Sequence, residues 1–230
     1  MDFVYVVDSA DLPHLDYTRY INLISEYKRD RIRELKPRSM ANSIVSDLLI
    51  RYLLELRLKA VRIAPKERGK PELWSTGHSP SNLQFNLSHS GSLIACVLGS
   101  EPVGVDVEKM RVVERAESLA KRFFSFAESK MLNQIPDPEK SGQLLRLWTL
   151  KESFFKMCNQ PLNPRKISFA EQQTKQTFEM VIGKRLCFFE QLKFGNYFVA
   201  ACGGSKKARE IKKIKLADLI NYWETRESET

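Results

Sequence analysis

Phe85-Asn86-Leu87-Ser88-His89-Ser90-Gly91-Ser92-Leu93-Ile94-Ala95-Cys96 and, 104 residues later, Phe189-Glu190-Gln191-Leu192-Lys193-Phe194-Gly195-Asn196-Tyr197-Phe198-Val199-Ala200 follow one pattern. Phenylalanine falls on phenylalanine, glycine on glycine, and the run Leu93 to Cys96 on Tyr197 to Ala200. In the first copy, Phe85 to Leu87 and Leu93 to Leu98 read as strands joined through Ser88-His89-Ser90-Gly91. The offset is close to half of the 230 residues. At the same shift, the stretch Met40 to Lys59, with Ile44, Leu48, Leu49, Tyr52, Leu53 and Leu56 at helical spacing, falls across Leu144 to Asn163. The expected fold is therefore α+β: two similar subdomains, 1–102 and 103–230, each a helix followed by an antiparallel sheet, joined near Gly99 to Val103.

Working outward, Phe3 to Val7 reads as a strand and Tyr17 to Leu35 as helical. Pro65 to Asn82 reads as a loop rich in Pro, Gly and Ser, and Pro102 to Val107 as a further strand. Ser125 is placed to cap a helix over Phe126 to Asn133, with Glu128 in the capping-box position. A strong helix is expected from Gln143 to Cys158, then strands up to Cys202. The tail Lys206 to Lys215 carries six basic residues before an amphipathic segment, Leu216 to Trp223, and reads as a solvated linker followed by a peripheral helix.

Composition narrows the function classes. No run of about 18 apolar residues exists to span a bilayer, and Asp2 and Asp8 stand where a signal peptide would be basic. A soluble, cytoplasmic chain is expected. Cys96, Cys158, Cys187 and Cys202 form no CxxC pair and read as free core thiols. Lys and Arg number 37 against 28 Asp and Glu, a net charge of +9, which favours a polyanionic partner: nucleic acid, acidic protein, phosphorylated ligand or membrane surface.

Two segments carry chemistry. In Gly104-Val105-Asp106-Val107-Glu108-Lys109, strand alternation sends Asp106 and Glu108 to one face and Val105 and Val107 to the other. Adjacent carboxylates repel, and all-oxygen ligation suits Mg²⁺; two solvated acids on an exposed edge strand are the plain alternative. In Trp148-Thr149-Leu150-Lys151-Glu152-Ser153-Phe154-Phe155-Lys156, the residues Trp148, Glu152 and Lys156 stack on one helix face. A surface i, i+4 ion pair is the plain reading; the aromatic on the same stripe favours a covered site.

These segments, with Phe124 to Glu128, Gly69-Lys70-Pro71 and Phe85 to Ser90, resemble the signature motifs of the 4′-phosphopantetheinyl transferases, in the surfactin-type branch. The resemblance covers most of residues 28–156. It implies two α+β halves about a pseudo-twofold axis. The implied reaction moves the phosphopantetheine arm of coenzyme A onto a serine hydroxyl of an acidic apo acyl or peptidyl carrier protein, releasing 3′,5′-ADP. It implies Mg²⁺ held by Asp106, Glu108 and Glu152, with Glu152 also the candidate base and Lys156 stabilising or protonating the leaving oxygen. Glu128 matches a further catalytic acid, with its capping-box position as the competing role. Lys28, Arg31 and Ser43 match contacts to the 3′-phosphate of coenzyme A. Lys70, Pro71, Ser88 and His89 match its adenine and phosphate contacts, against a backbone-satisfied loop histidine as the plain reading of His89.

The pattern is broken at Asn42, where many relatives have Arg, and at Ser46, where they have Gly; Arg38 is the nearest substitute for the missing cation. Phe126, Met131 and Leu132 are expected either to line the carrier-docking surface or to belong to the core. A monomer with no nucleic-acid or membrane partner is expected. The alternatives are a nucleic-acid-binding protein using the basic surface, and an inactive scaffold for coenzyme A or carriers. The first would leave both acidic motifs idle. The second is disfavoured by the presence of all three acids.

Overall fold

The computed structural model describes residues 3–10, 12, 17–57, 61–64, 72–75, 83–159, 162–172, 175–204 and 210–227. Two four-stranded sheets organise them. The first joins β1 (Phe3–Asp8), β4 (Gln84–Ser90), β5 (Leu93–Gly99) and β10 (Glu210–Lys213) in the order β10-β1-β5-β4. The second joins β6 (Val103–Lys109), β7 (Thr177–Ile182), β8 (Arg185–Phe194) and β9 (Tyr197–Gly203) in the order β6-β9-β8-β7. Every pairing in the two sheets is antiparallel except β1 with β10. The long helices α3 (Pro37–Arg57) and α6 (Asp137–Cys158) pack on their respective sheets. Between α3 and β4, β2 (Val61–Ala64) and β3 (Glu72–Ser75) form a separate ribbon. Among the described residues, no helix is long and apolar enough to cross a membrane.

The duplication is visible in the register. Leu87 pairs with Cys96 in the first hairpin, and Gln191 with Ala200, each partner shifted by 104, in the second. Both reversals turn on a glycine with positive φ, Gly91 at 58° and Gly195 at 54°, a conformation that L side chains seldom adopt. Equivalent residues of the two halves also face each other. Val4, Val6, Ala95 and Val97 of β1 and β5 pack in one apolar cluster with Val105, Val107, Val199 and Ala201 of β6 and β9. A surface that meets its own counterpart is what a twofold interface requires. Each half keeps its own core on the helix side.

Several local readings are corrected by tertiary packing. The stretch read as one helix is broken into α1 (Tyr17–Ile21) and α2 (Glu26–Arg33). Ser88, His89 and Ser90 belong to β4, and the reversal begins at Gly91. The stretch 65–82 contains β3, while Lys70 and Pro71 lie outside the described residues. The capping box at Ser125 opens α5 (Phe126–Asn133), after α4 (Ala116–Phe123). The largest correction concerns the tail, which the division at 102/103 assigns to the C-terminal half. Instead β10 pairs with β1, and α7 (Leu216–Glu227) buries Leu219, Ile220 and Trp223 in the N-terminal core. The Trp223 indole N–H donates to Leu48 O at 3.1 Å, and Tyr222 O–H to Glu55 at 2.8 Å. The apolar face that made the segment look amphipathic is the face that packs.

Candidate active site at the seam of the two halves

Strands β4 and β6 are the edges at which the sheets meet. Backbone N–H groups of β6 donate to side chains of β4 at every second residue: Val105 to Asn86 Oδ1 at 2.9 Å, Val107 to Ser88 Oγ at 3.3 Å, and Lys109 to Ser90 Oγ at 3.0 Å. The equivalent edges, β1 and β8, are covered by β10 and β7, so the duplicate seam is blocked.

On the face of β6 that carries Asp106, Gly104 lets α6 approach. A Cβ at that position would lie 1.9 Å from Ser153 O, so only glycine fits. The pleat then turns Asp106 toward α6, where Lys156 Nζ donates to Asp106 Oδ1 at 2.6 Å and to Ser88 Oγ at 2.9 Å. Ser88 Oγ in turn donates to Asp106 Oδ1 at 2.9 Å. Asp106 is 5% exposed, and its second oxygen, Oδ2, is buried without a hydrogen-bond partner.

Three carboxylates share one field. Burial raises the Asp106 pKa despite the opposing ammonium of Lys156, and Glu108 raises it further. Burial also raises that of Glu152; Asp106 and Glu108 add to the effect, and Lys156 opposes it. Among the described residues no three His, Cys, Asp or Glu side chains are already gathered about one point as metal ligands. Lys156 holds Asp106, and Arg111 Nη1 holds Glu108 Oε2 at 2.7 Å. The donor set nevertheless fits a hard divalent cation such as Mg²⁺: the ligands are carboxylate oxygens, burial raises the pKa values of Asp106 and Glu152, and Asp106 Oδ2 lacks a partner.

His89 lies beside this cluster on β4. Its pKa is lowered, first by desolvation and then by Lys156, which keeps the ring neutral near pH 7. Asn42 is buried; its amide donates to Gly91 O at 2.9 Å, approaches His89 Nδ1 at 3.5 Å, and accepts from Ser9 Oγ at 2.7 Å. The residue that departs from the expected Arg thus pins the hairpin turn, and Arg38 is held by Ser9 O at 3.3 Å. Ser43, next along α3, is half-buried. Lys28 pairs with buried Asp47 at 3.1 Å and lines a cavity of about 150 Å³ with Tyr27, Ile50, Phe85 and Asn86, which places it near the start of β4. Arg31 is exposed on the same helix.

Glu128 is not in the cluster. It is fully buried, its Oε2 accepts from Ser125 N at 2.8 Å and pairs with Lys151 Nζ at 2.9 Å, and its Oε1 accepts from Phe169 N at 2.8 Å. With both oxygens engaged inside the C-terminal core, Glu128 fills the capping-box position that competed with the catalytic reading. Of the three docking candidates, Leu132 is core and Met131 packs against it, whereas Phe126 is 83% exposed. Trp148 is half-buried and edge-on to Phe123 at 5.5 Å. Sequence reasoning missed Asn86, Ser90 and Arg111. The signal for the first two was polar residues at 86, 88 and 90 in a period of two, which the turn-like composition of Ser88 to Gly91 concealed.

Residues 102–202 match a family model described as the 4′-phosphopantetheinyl transferase superfamily, and residues 14–102 match one for the N-terminal part of a 4′-phosphopantetheinyl transferase. The chain is 28% identical over 193 residues to 4′-phosphopantetheinyl transferase Sfp of Bacillus subtilis (80% of this chain, 84% of Sfp). It is 25% identical over 212 residues to the transferase gsp of Aneurinibacillus migulanus (88% and 86%). To the transferase HetI of Nostoc sp. it is 40% identical over 97 residues (42% and 40%).

Proposed function

The chain belongs to the surfactin-type branch of the 4′-phosphopantetheinyl transferase superfamily, and on that premise we propose that it transfers the 4′-phosphopantetheine group of coenzyme A to a serine of an apo acyl or peptidyl carrier protein, yielding holo carrier protein and 3′,5′-ADP. The observation that carries this reading is the contact of Lys156 with Asp106 and Ser88 inside a field shared by Glu108 and Glu152. A buried acid against a half-buried base, at the junction of two structural units, marks a site rather than a surface ion pair.

Asp106 through Oδ2, Glu108 and Glu152 would hold Mg²⁺, which when bound supplies positive charge against the pyrophosphate of coenzyme A. Glu152 accepts the proton of the carrier serine, directly or through water. The serine oxygen forms a bond to the phosphorus that bears the pantetheine arm, and the bond from that phosphorus to the 3′,5′-ADP oxygen breaks. Lys156, on the same face of α6 one turn beyond Glu152, donates to the departing oxygen. Lys28, Arg31, Ser43, Lys70, Pro71 and neutral His89 are assigned to the nucleotide and its phosphates. The net charge of +9 favours encounter with acidic carriers.

Incubation with coenzyme A, Mg²⁺ and an apo carrier protein is expected to add one phosphopantetheine to the carrier, seen by mass spectrometry. Asp106→Ala and Glu152→Ala should lose the product. Absence of the adduct with several carriers, or its persistence in both variants, overturns the reading.

A further inference from the structure

The seam does more than join the halves. Each β4 hydroxyl on it makes two kinds of bond in one register. Ser88 Oγ accepts the N–H of Val107 and donates to the carboxylate of the preceding residue, Asp106. Ser90 Oγ accepts the N–H of Lys109 and donates to the carboxylate of the preceding residue, Glu108, at 3.3 Å. Asn86 repeats the first bond with Val105, and the residue that would take the second is Gly104, the position given over to helix contact. Three rungs follow one rule, and the two that end on a carboxylate end on the two acids of β6.

We propose that Ser88 and Ser90 are positioning residues for the acidic cluster: through their hydroxyls, the N-terminal half sets the direction of the carboxylates that the C-terminal half supplies. The proposal rests on the metal-dependent reading of the site given above. A hydroxyl anchored by a backbone N–H has its proton directed outward, and a carboxylate receiving that proton loses rotational freedom about its terminal bond. Burial alone does not supply this restraint, because Asp106 and Glu108 repel each other; Lys156 and Arg111 offset their charge from flexible side chains, whereas the two hydroxyls are anchored to the β6 backbone. Ser88, matched by resemblance to a coenzyme A contact, has its proton committed to Asp106 and receives Val107 N–H and Lys156 Nζ on its oxygen. Ser90 has no role assigned by that resemblance, and it is the cleaner probe: its hydroxyl bonds Glu108 and the Lys109 amide, not Lys156.

The test uses Mn²⁺ as the probe ion, titrated into the full-length protein saturated with coenzyme A in the absence of carrier and followed by electron paramagnetic resonance. Coenzyme A binding is measured separately by calorimetry without divalent ion. Ser90→Ala is expected to weaken Mn²⁺ binding on the order of tenfold, the low end for loss of an outer-shell partner, and to leave coenzyme A affinity unchanged. Ser90→Thr, which keeps the hydroxyl, is expected to restore Mn²⁺ binding. Unchanged Mn²⁺ affinity in Ser90→Ala overturns the proposal. So does Ser90→Thr as weak as Ser90→Ala, or loss of coenzyme A binding alongside the metal, since either reports packing rather than positioning. If the wild-type complex binds no Mn²⁺, the metal-dependent reading fails and this inference with it, an outcome distinct from a wild type that binds and a variant that binds equally well.

Discussion

At the scale of single residues, the site is a set of charges held under tension. Asp106 and Glu152 both have raised pKa values, with burial the first cause. For an acid, a raised folded-state pKa means that the native protein binds the proton more tightly than the unfolded chain does. Stability therefore falls as pH rises through the interval between the two values, and the penalty is fully present only above the folded-state value. Glu152→Gln removes the charge at nearly constant shape. In buffer containing EDTA it is expected to unfold at a higher temperature than wild type at pH 7, by calorimetry, with the gap shrinking as pH is lowered toward 4.5, the ordinary value for the group. On the proposed mechanism the same variant should have no transferase activity, so stability and function would move in opposite directions. Glu128 is the contrasting case. It too is a buried acid in a family motif, but every one of its contacts lies within the C-terminal core, and its ion pair with Lys151 fastens α5 to α6.

At the scale of elements, the placement of α6 against β6 decides whether the residues on the two motifs meet. Helical spacing put Glu152 and Lys156 on one face, and strand alternation put Asp106 and Glu108 on another, but neither period says that the two faces are apposed. Gly104 is the residue that allows it, since a methyl group there would run into the carbonyl of Ser153. Gly104→Ala is expected to cost about 3 kcal/mol by overpacking and to abolish transfer by moving α6 away from β6; urea denaturation and the carrier assay read the two effects. The β4 to β6 seam was legible in part. Apolar and polar residues alternate from Phe85 to Ser88, yet Ser, His and Gly together mimic a loop, and the acceptors for Ser88 and Ser90 lie 18 positions away on another strand. Local composition carries no information about a partner that arrives from elsewhere in the fold.

At the scale of the whole molecule, the duplication explains both the architecture and the single seam. The 104-residue offset survives as an identical strand register, and the two halves meet through equivalent valines and alanines. What breaks the symmetry is added at the edges: β10 and α7 on the N-terminal half, β7 on the C-terminal one. Trp223 joins the tail to α3 by burial and by its bond to Leu48 O, so Trp223→Ala is expected to cost about 3–5 kcal/mol in chemical denaturation, with the carrier assay retained under conditions where the variant stays folded. The sequence by itself determined the α+β class, the repeat and the capping box, and singled out Asp106, Glu108, Glu152 and Lys156 as candidates, because these depend on periodicity and on motifs written within short segments. Only the tertiary structure decided that the C-terminal tail completes the N-terminal core, that both oxygens of Glu128 are bonded within the C-terminal core, and that Asn86, Ser88 and Ser90 line the seam beside the acids. Each of these is a contact between segments far apart in the chain, and it is the packing of apolar faces, not any local preference, that brings such segments together.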